Sequence, residues 1–90
     1  MQGLKTFKDL KFEDCHAGGE KAYYNFDDGS SIIVFRNVPT FYCEGDKCEV
    51  LSDRYKNAKE GRLQTPEQIT EHMIYIQQNP KTDGNTTKDI

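Results

Sequence analysis

Three cysteines and two histidines are the residues in this chain best suited to chemistry. They occur as Cys15-His16, Cys43-x4-Cys48 and His72. Three thiols and an imidazole make up a Cys3His zinc set, and Cys43 and Cys48 are spaced to chelate across a glycine-containing tip. Cys15, Cys43, Cys48 and His16 are therefore the candidate metal ligands. Against this, the adjacent Cys15 and His16 would point to opposite sides of a strand, and strong zinc motifs use two tight pairs where this chain has one. The same cysteines read more readily as packed reduced thiols, or as an opposed pair close enough to cross-link. A cysteine nucleophile with a histidine base is the third chemistry the residue types allow. No local signature surrounds any of the five residues, and His72 is placed beside the apolar face of a helix as a boundary residue. The expectation is that the chain is not an enzyme and has no cofactor, with zinc as the alternative.

Two further groups of residues suit recognition. Asp27 and Asp28 stand at one turn, and Glu44, Asp46, Glu49 and Asp53 in and after another. Such a carboxylate-bearing surface can occupy a basic groove on a partner, although Asp also favours turns for local reasons. Neither cluster has the spacing of a calcium loop. Tyr23, Tyr42, Tyr55 and Tyr75 are too many to bury in a small core, and tyrosine is enriched where proteins meet. The candidate partner-binding residues are Tyr23, Tyr42, Glu44, Asp46 and Glu49.

The elements that must carry these residues are sheet-forming. Ala22 to Phe35 holds two aromatic and β-branched segments around Asp28-Gly29, a strong hairpin signal. With Asp28-Gly29 as a two-residue loop, Phe26 faces Ser31, Tyr24 faces Ile33 and Ala22 faces Phe35 on one core face. Tyr23 with Val34 and Asn25 with Ile32 take the other face. A second hairpin is expected over Phe41 to Leu51, turning at Gly45-Asp46, with Glu44 opposite Lys47, Cys43 opposite Cys48 and Phe41 opposite Val50. Residues 1–19 read as a short helix or turn leading into an extended segment, ended by Ala17-Gly18-Gly19. Residues 53–64 are a polar connection anchored by Tyr55 and Leu63. Thr65-Pro66-Glu67-Gln68 is a helix start with a capping box. Ile69, Met73 and Ile76 define its apolar face, and Asn79-Pro80 ends it. The fold class is α+β: an antiparallel sheet of about four strands built from two hairpins, with one C-terminal helix on a face. Residues 1–80 form one domain and 81–90 a disordered tail.

Composition limits the function further. The chain has 90 residues, 34% hydrophobic and 30% charged, with ten aromatics (five Tyr, five Phe) and a net charge of -3. This predicts a small domain with a thin core, one that a dimer or partner would stabilise. Its acidity argues against direct nucleic-acid binding, which calls for a basic surface. No apolar run has membrane-spanning length, and Met-Gln-Gly-Leu-Lys has no export core. The expected compartment is the cytoplasm, where thiols stay reduced.

Leu4-Lys-Thr-Phe-Lys-Asp-Leu-Lys-Phe-Glu13, the Gly18-Gly19 step, the Ala22-x-x-x-Phe26-x-Asp-Gly-x-Ser-Ile-Ile-Val34 hairpin and the Thr65-Pro66-x-x-Ile69-Thr70 helix start together resemble a group of small uncharacterised phage and prophage proteins. The resemblance spans residues 4 to about 78 and rests on turns and caps. The chain departs from the group at Cys43-x4-Cys48 and in its polar tail. The resemblance implies a phage or mobile-element origin and a role in binding a bacterial host protein, with a CRISPR or other defence nuclease complex as one candidate. It transfers no site residue. A virion or assembly accessory protein that self-associates through an uncovered strand edge is a further alternative.

Overall fold

The computed structural model describes residues 3–16 and 18–81. Its elements are strands β1 (Glu13–Asp14), β2 (Glu20–Asn25), β3 (Ser31–Arg36) and β4 (Glu49–Ser52), and helix α1 (Pro66–Gln78). The strands form one antiparallel sheet in the order β1-β2-β3-β4. This is the α+β architecture expected from the sequence, with α1 packed across one face. Short 3-10 turns at Phe7–Asp9 and Ala58–Gly61 complete the connections.

Helix α1 starts and packs as its residues dictate. The Thr65 hydroxyl accepts a hydrogen bond from Gln68 N, and the Gln68 side chain accepts one from Thr65 N. This capping box satisfies two N-terminal donors that the helix itself cannot. Ile69, Met73 and Ile76 are each at most 1% exposed. They meet Ala22, Ile32, Val34 and Val50 from the sheet, joined by Leu10, Phe26 and Cys48. The N-terminal segment lies along the helix, with Lys5 N and O both bonded to the Gln77 amide and Phe7 N donating to the Thr70 hydroxyl.

The first hairpin forms, but one residue out of the expected register. Tyr24 faces Ile32 and Ala22 faces Val34. The reason is the loop. Phe26 N donates to Ser30 O and Gly29 N to Phe26 O, so Asp27, Asp28 and Gly29 all lie in the turn. Gly29 has φ 91°, the left-handed residue that ends a three-residue loop of this kind. Asp28 holds the loop through its own carboxylate, which accepts from Ser30 N and from the Ser30 hydroxyl. A one-residue slip inverts the faces of β3 relative to β2. Ala22, Tyr24 and Phe26 do face inward, but their partners are Ile32 and Val34, not Ile33 and Phe35.

The second turn forms at Gly45-Asp46, with Glu44 opposite Lys47 as expected, but its ladder goes no further. Val50 pairs with Val34 instead of Phe41, and Cys48 exchanges backbone hydrogen bonds with Gln64. Tyr42 N is taken by the Glu49 carboxylate and not by a strand partner. In the connection 53–64, Tyr55 packs against the core, but Leu63 is exposed with φ 54°. The anchor there is Gly61, buried where a Cβ would overlap the Val50 carbonyl oxygen. Lys81, placed in the expected tail, is held by Asp28 and Asp53. The remainder of that tail, 82–90, lies outside the described residues.

Candidate binding face of the sheet

Helix α1 covers only one face of the sheet. Alternation along β2, β3 and β4 sends Tyr23, Ile33 and Leu51 to the other face, where they stand side by side in one cross-strand row. Tyr23 is 58% exposed and Leu51 41%. The next row is Lys21, Phe35 and Glu49. Its centre is closed by Phe41, whose ring meets Phe35 edge-on with centroids 4.5 Å apart. The connection between β3 and β4 therefore lids one row and leaves the other open.

A second pair of exposed apolar side chains, Tyr42 and Leu63, lies beside Glu49 of the closed row. Tyr42 N donates to Glu49 Oε1 at 3.1 Å, and Leu63 N donates to Tyr42 O at 3.3 Å. Both side chains are exposed, Tyr42 at 48%. The Arg62 guanidinium lies 3.9 Å from the centre of the Tyr42 ring. That stacking gives Tyr42 a fixed position at low entropic cost. Of the five expected contact residues, Tyr23, Tyr42 and Glu49 lie on this surface. Glu44 and Asp46 are exposed at the adjoining turn. Glu49 is half-buried and its carboxylate positions Tyr42, a role its charge alone did not suggest.

The cysteine and histidine residues are dispersed. Cys15 sits at the turn after β1, bonded through its N–H to Gly19 O, and His16 is exposed beside it. Cys43 lies against Phe35 at the end of β3 and Cys48 just before β4, with β2 between them and β1. Among the described residues no three His, Cys, Asp or Glu side chains are gathered to hold a metal, so the Cys15, His16, Cys43, Cys48 set is not brought together. All three cysteines are thiols.

His72 touches the sheet, as its place on the helix suggested. Its Nε2 lies 2.8 Å from Ser52 Oγ, and its ring stacks on Tyr55 with centroids 4.3 Å apart. Ser52 Oγ also accepts Arg54 N. Burial pushes the His72 pKa down, and the Arg54 charge pushes it the same way. Ser52 Oγ is bonded on both sides, which suits a cap on the end of β4 better than an attacking group. Nearby, Asp28 and Arg54 are paired at 3.3 Å, and Arg54 Nη2 donates to Asn79 O at the end of α1. This network ties the first hairpin to the helix C-terminus.

Family models, curated proteins and solved structures give no match to this chain. Among the described residues no helix is long and apolar enough to cross a membrane.

Proposed function

We propose that this chain is a non-enzymatic binding protein that docks on a partner protein through the helix-free face of its sheet. The observation that carries the reading is the row Tyr23–Ile33–Leu51 on the helix-free face, with Tyr23 and Leu51 exposed, and exposed Tyr42 beside Glu49 of the neighbouring row. An apolar patch rimmed by polar residues marks a contact surface. Tyrosine and arginine are the residues that most often dominate binding energy, and here Arg62 is stacked on Tyr42. Glu44 and Asp46 project from the adjoining turn and supply the charged rim that steers association. The partner class follows from the resemblance to small phage proteins: a bacterial host protein in the cytoplasm, with defence nuclease complexes as candidates. Three free thiols suit that compartment.

The test is capture from bacterial lysate, with and without expressed defence complexes, at two salt concentrations. Wild type is compared with Tyr23→Asp/Leu51→Asp and with Glu44→Lys/Asp46→Lys. A single stoichiometric partner that the apolar double variant loses while keeping its melting temperature supports the reading. Loss of salt dependence in the charge variant assigns the steering to the turn. Equal capture by wild type and the apolar variant removes this face as the contact surface. Mass that rises with concentration, and falls in the apolar variant, gives the face to a second copy of the chain.

A further inference from the structure

Glu44 and Lys47 exchange both backbone hydrogen bonds, at 3.1 and 2.9 Å, across a two-residue loop in which Gly45 has φ 62°. The residues next outward from such a closed pair are a non-hydrogen-bonded pair, the antiparallel position with the shorter Cα separation, about 4.5 Å. Cys43 and Cys48 hold those positions in the chain, although the paired backbone itself stops at Glu44 and Lys47. A separation of that size falls inside the range disulfides adopt. The backbone N–H and C=O of Cys48 point away to Gln64, as this pairing requires. The Cys43 thiol donates to Phe35 O at 3.1 Å. Phe35 is the strand partner of Glu49, so that contact sets the Cys43 sulfur beside the Cys48–Glu49 stretch of chain.

The two thiols differ in access. Cys43 is half-exposed, whereas Cys48 is 1% exposed and belongs to the core. We propose that Cys43 and Cys48 form a thiol–disulfide exchange site that takes a small-molecule disulfide as oxidant, with Cys43 as the attacking thiol and Cys48 as the resolving one. In the first step the Cys43 thiolate attacks one sulfur of the small disulfide. A Cys43 mixed disulfide forms, and the other half leaves as a thiolate. In the second step the Cys48 thiolate attacks Cys43 Sγ, the cross-strand bond forms, and the second small thiol leaves. Two protein thiols are oxidised and one small disulfide is reduced to two thiols, which take up through solvent the two protons that the protein thiols release. Burial, reinforced by the neighbouring Cys43, pushes the Cys48 pKa up to about 11. Thiolate is therefore scarce at Cys48, and resolution is the slow, pH-accelerated step. The product pins the segment carrying Phe41 and Tyr42 to the start of β4.

The experiment treats the full chain carrying Cys15→Ser with oxidised glutathione at pH 7 and at pH 9. Intact mass and peptide mapping follow the reaction. The expected result is a Cys43 glutathione adduct that converts to a species lacking two hydrogens, with a Cys43–Cys48 cross-link and faster conversion at pH 9. In the same background Cys48→Ala stops at the Cys43 adduct. Cys43→Ser acquires neither adduct nor cross-link. A persistent adduct without cross-linking in the Cys15→Ser protein, cross-linking only between molecules, or first modification at Cys48 overturns the proposal. If Cys15→Ser folds poorly, wild-type protein mapped under the same conditions is held to the same criteria.

Discussion

Replacing Asp28 by Ala removes the acceptor on which one end of the molecule depends. Its carboxylate receives Ser30 N at 2.8 Å, Ser30 Oγ at 3.0 Å, Arg54 Nη1 at 3.3 Å and Lys81 N at 2.7 Å. The Lys81 N–H is exposed and would turn to water. Ser30 is fully buried, so its N–H loses a partner that water does not replace, and its hydroxyl keeps only the Arg54 donor. The Arg54 side chain, 14% exposed, retains Asn79 O and Ser30 Oγ but loses its counter-charge. Two stranded groups at about 1.5 kcal/mol each give a loss of about 3 kcal/mol. For a domain of this size that corresponds to roughly 12–24 °C in melting temperature. Asp28→Asn keeps one acceptor oxygen and should lose about half as much on the same scale. The pH dependence has a defined sign. Burial alone would raise the Asp28 pKa, but the Lys81 and Ser30 N–H groups, the Ser30 hydroxyl and Arg54 together hold it below its ordinary value. The unfolded chain then binds the proton more readily. The Asp28 contribution is fully present above the ordinary carboxylate pKa of about 3.9 and is lost as pH falls from there through the folded value. Thermal unfolding of wild type, Asp28→Ala, Asp28→Asn, Arg54→Leu and the Asp28→Ala/Arg54→Leu double variant, from pH 7 to pH 2.5, checks both the magnitude and the sign. A loss under about 1 kcal/mol in Asp28→Ala, or strictly additive losses in the double variant, would refute the network.

Gly61→Ala should cost more than about 3 kcal/mol or prevent folding, because the added Cβ overlaps the backbone carbonyl of Val50. Gly29→Ala is the control: nothing stands within 4 Å of its Cβ, so only the left-handed backbone strain of about 1 kcal/mol remains. Equal melting curves for the two variants would sink the argument from close approach. His72 has a folded pKa depressed below its ordinary 6.5, so stability is fully present above pH 6.5 and declines as pH falls through the folded value. His72→Gln should flatten the stability–pH profile below about pH 6.5. An unchanged slope in urea unfolding across that window would show that His72 is not the titrating group.

The legible parts of the fold are those written in local chemistry. Thr65, Pro66 and Gln68 fix where α1 begins, and Ile69, Met73 and Ile76 fix its buried face, because capping and 3.6-residue periodicity depend on near neighbours. Glu44 opposite Lys47 was legible for the same reason. The register of β2 on β3 was not. Asp28-Gly29 suits a two-residue loop in isolation, but Asp28 commits its carboxylate to Ser30, and the turn takes in Asp27. Ser31-Ile32-Ile33-Val34-Phe35 is apolar at both parities, so the pattern offered no penalty for the wrong register. Gly61 was missed because its role is set by Val50, eleven positions away in sequence. Tyr23 and Tyr42 were legible by type as surface aromatics, whereas the places of Ile33, Leu51 and Leu63 emerged only once register and backbone were known.

The same ambiguity in β3 bears on function. A strand with one face in the core and one in water alternates apolar and polar residues, whereas a strand buried on both faces reads as a continuous apolar run. β3 is of the second kind, yet only one of its faces meets α1. The chain partly answers this itself: Phe41 comes down on Phe35 and closes the row nearest the β3–β4 connection. One row further along, half-buried Ile33 has exposed Tyr23 and Leu51 beside it. A solvated row would serve folding as well with Thr or Lys at these positions. Apolar residues on all three strands at one level add exposed apolar area and aggregation risk, with no gain to the core. On the proposed reading, a contact made after folding gives that row a physical purpose, with Ile33 between its two exposed members.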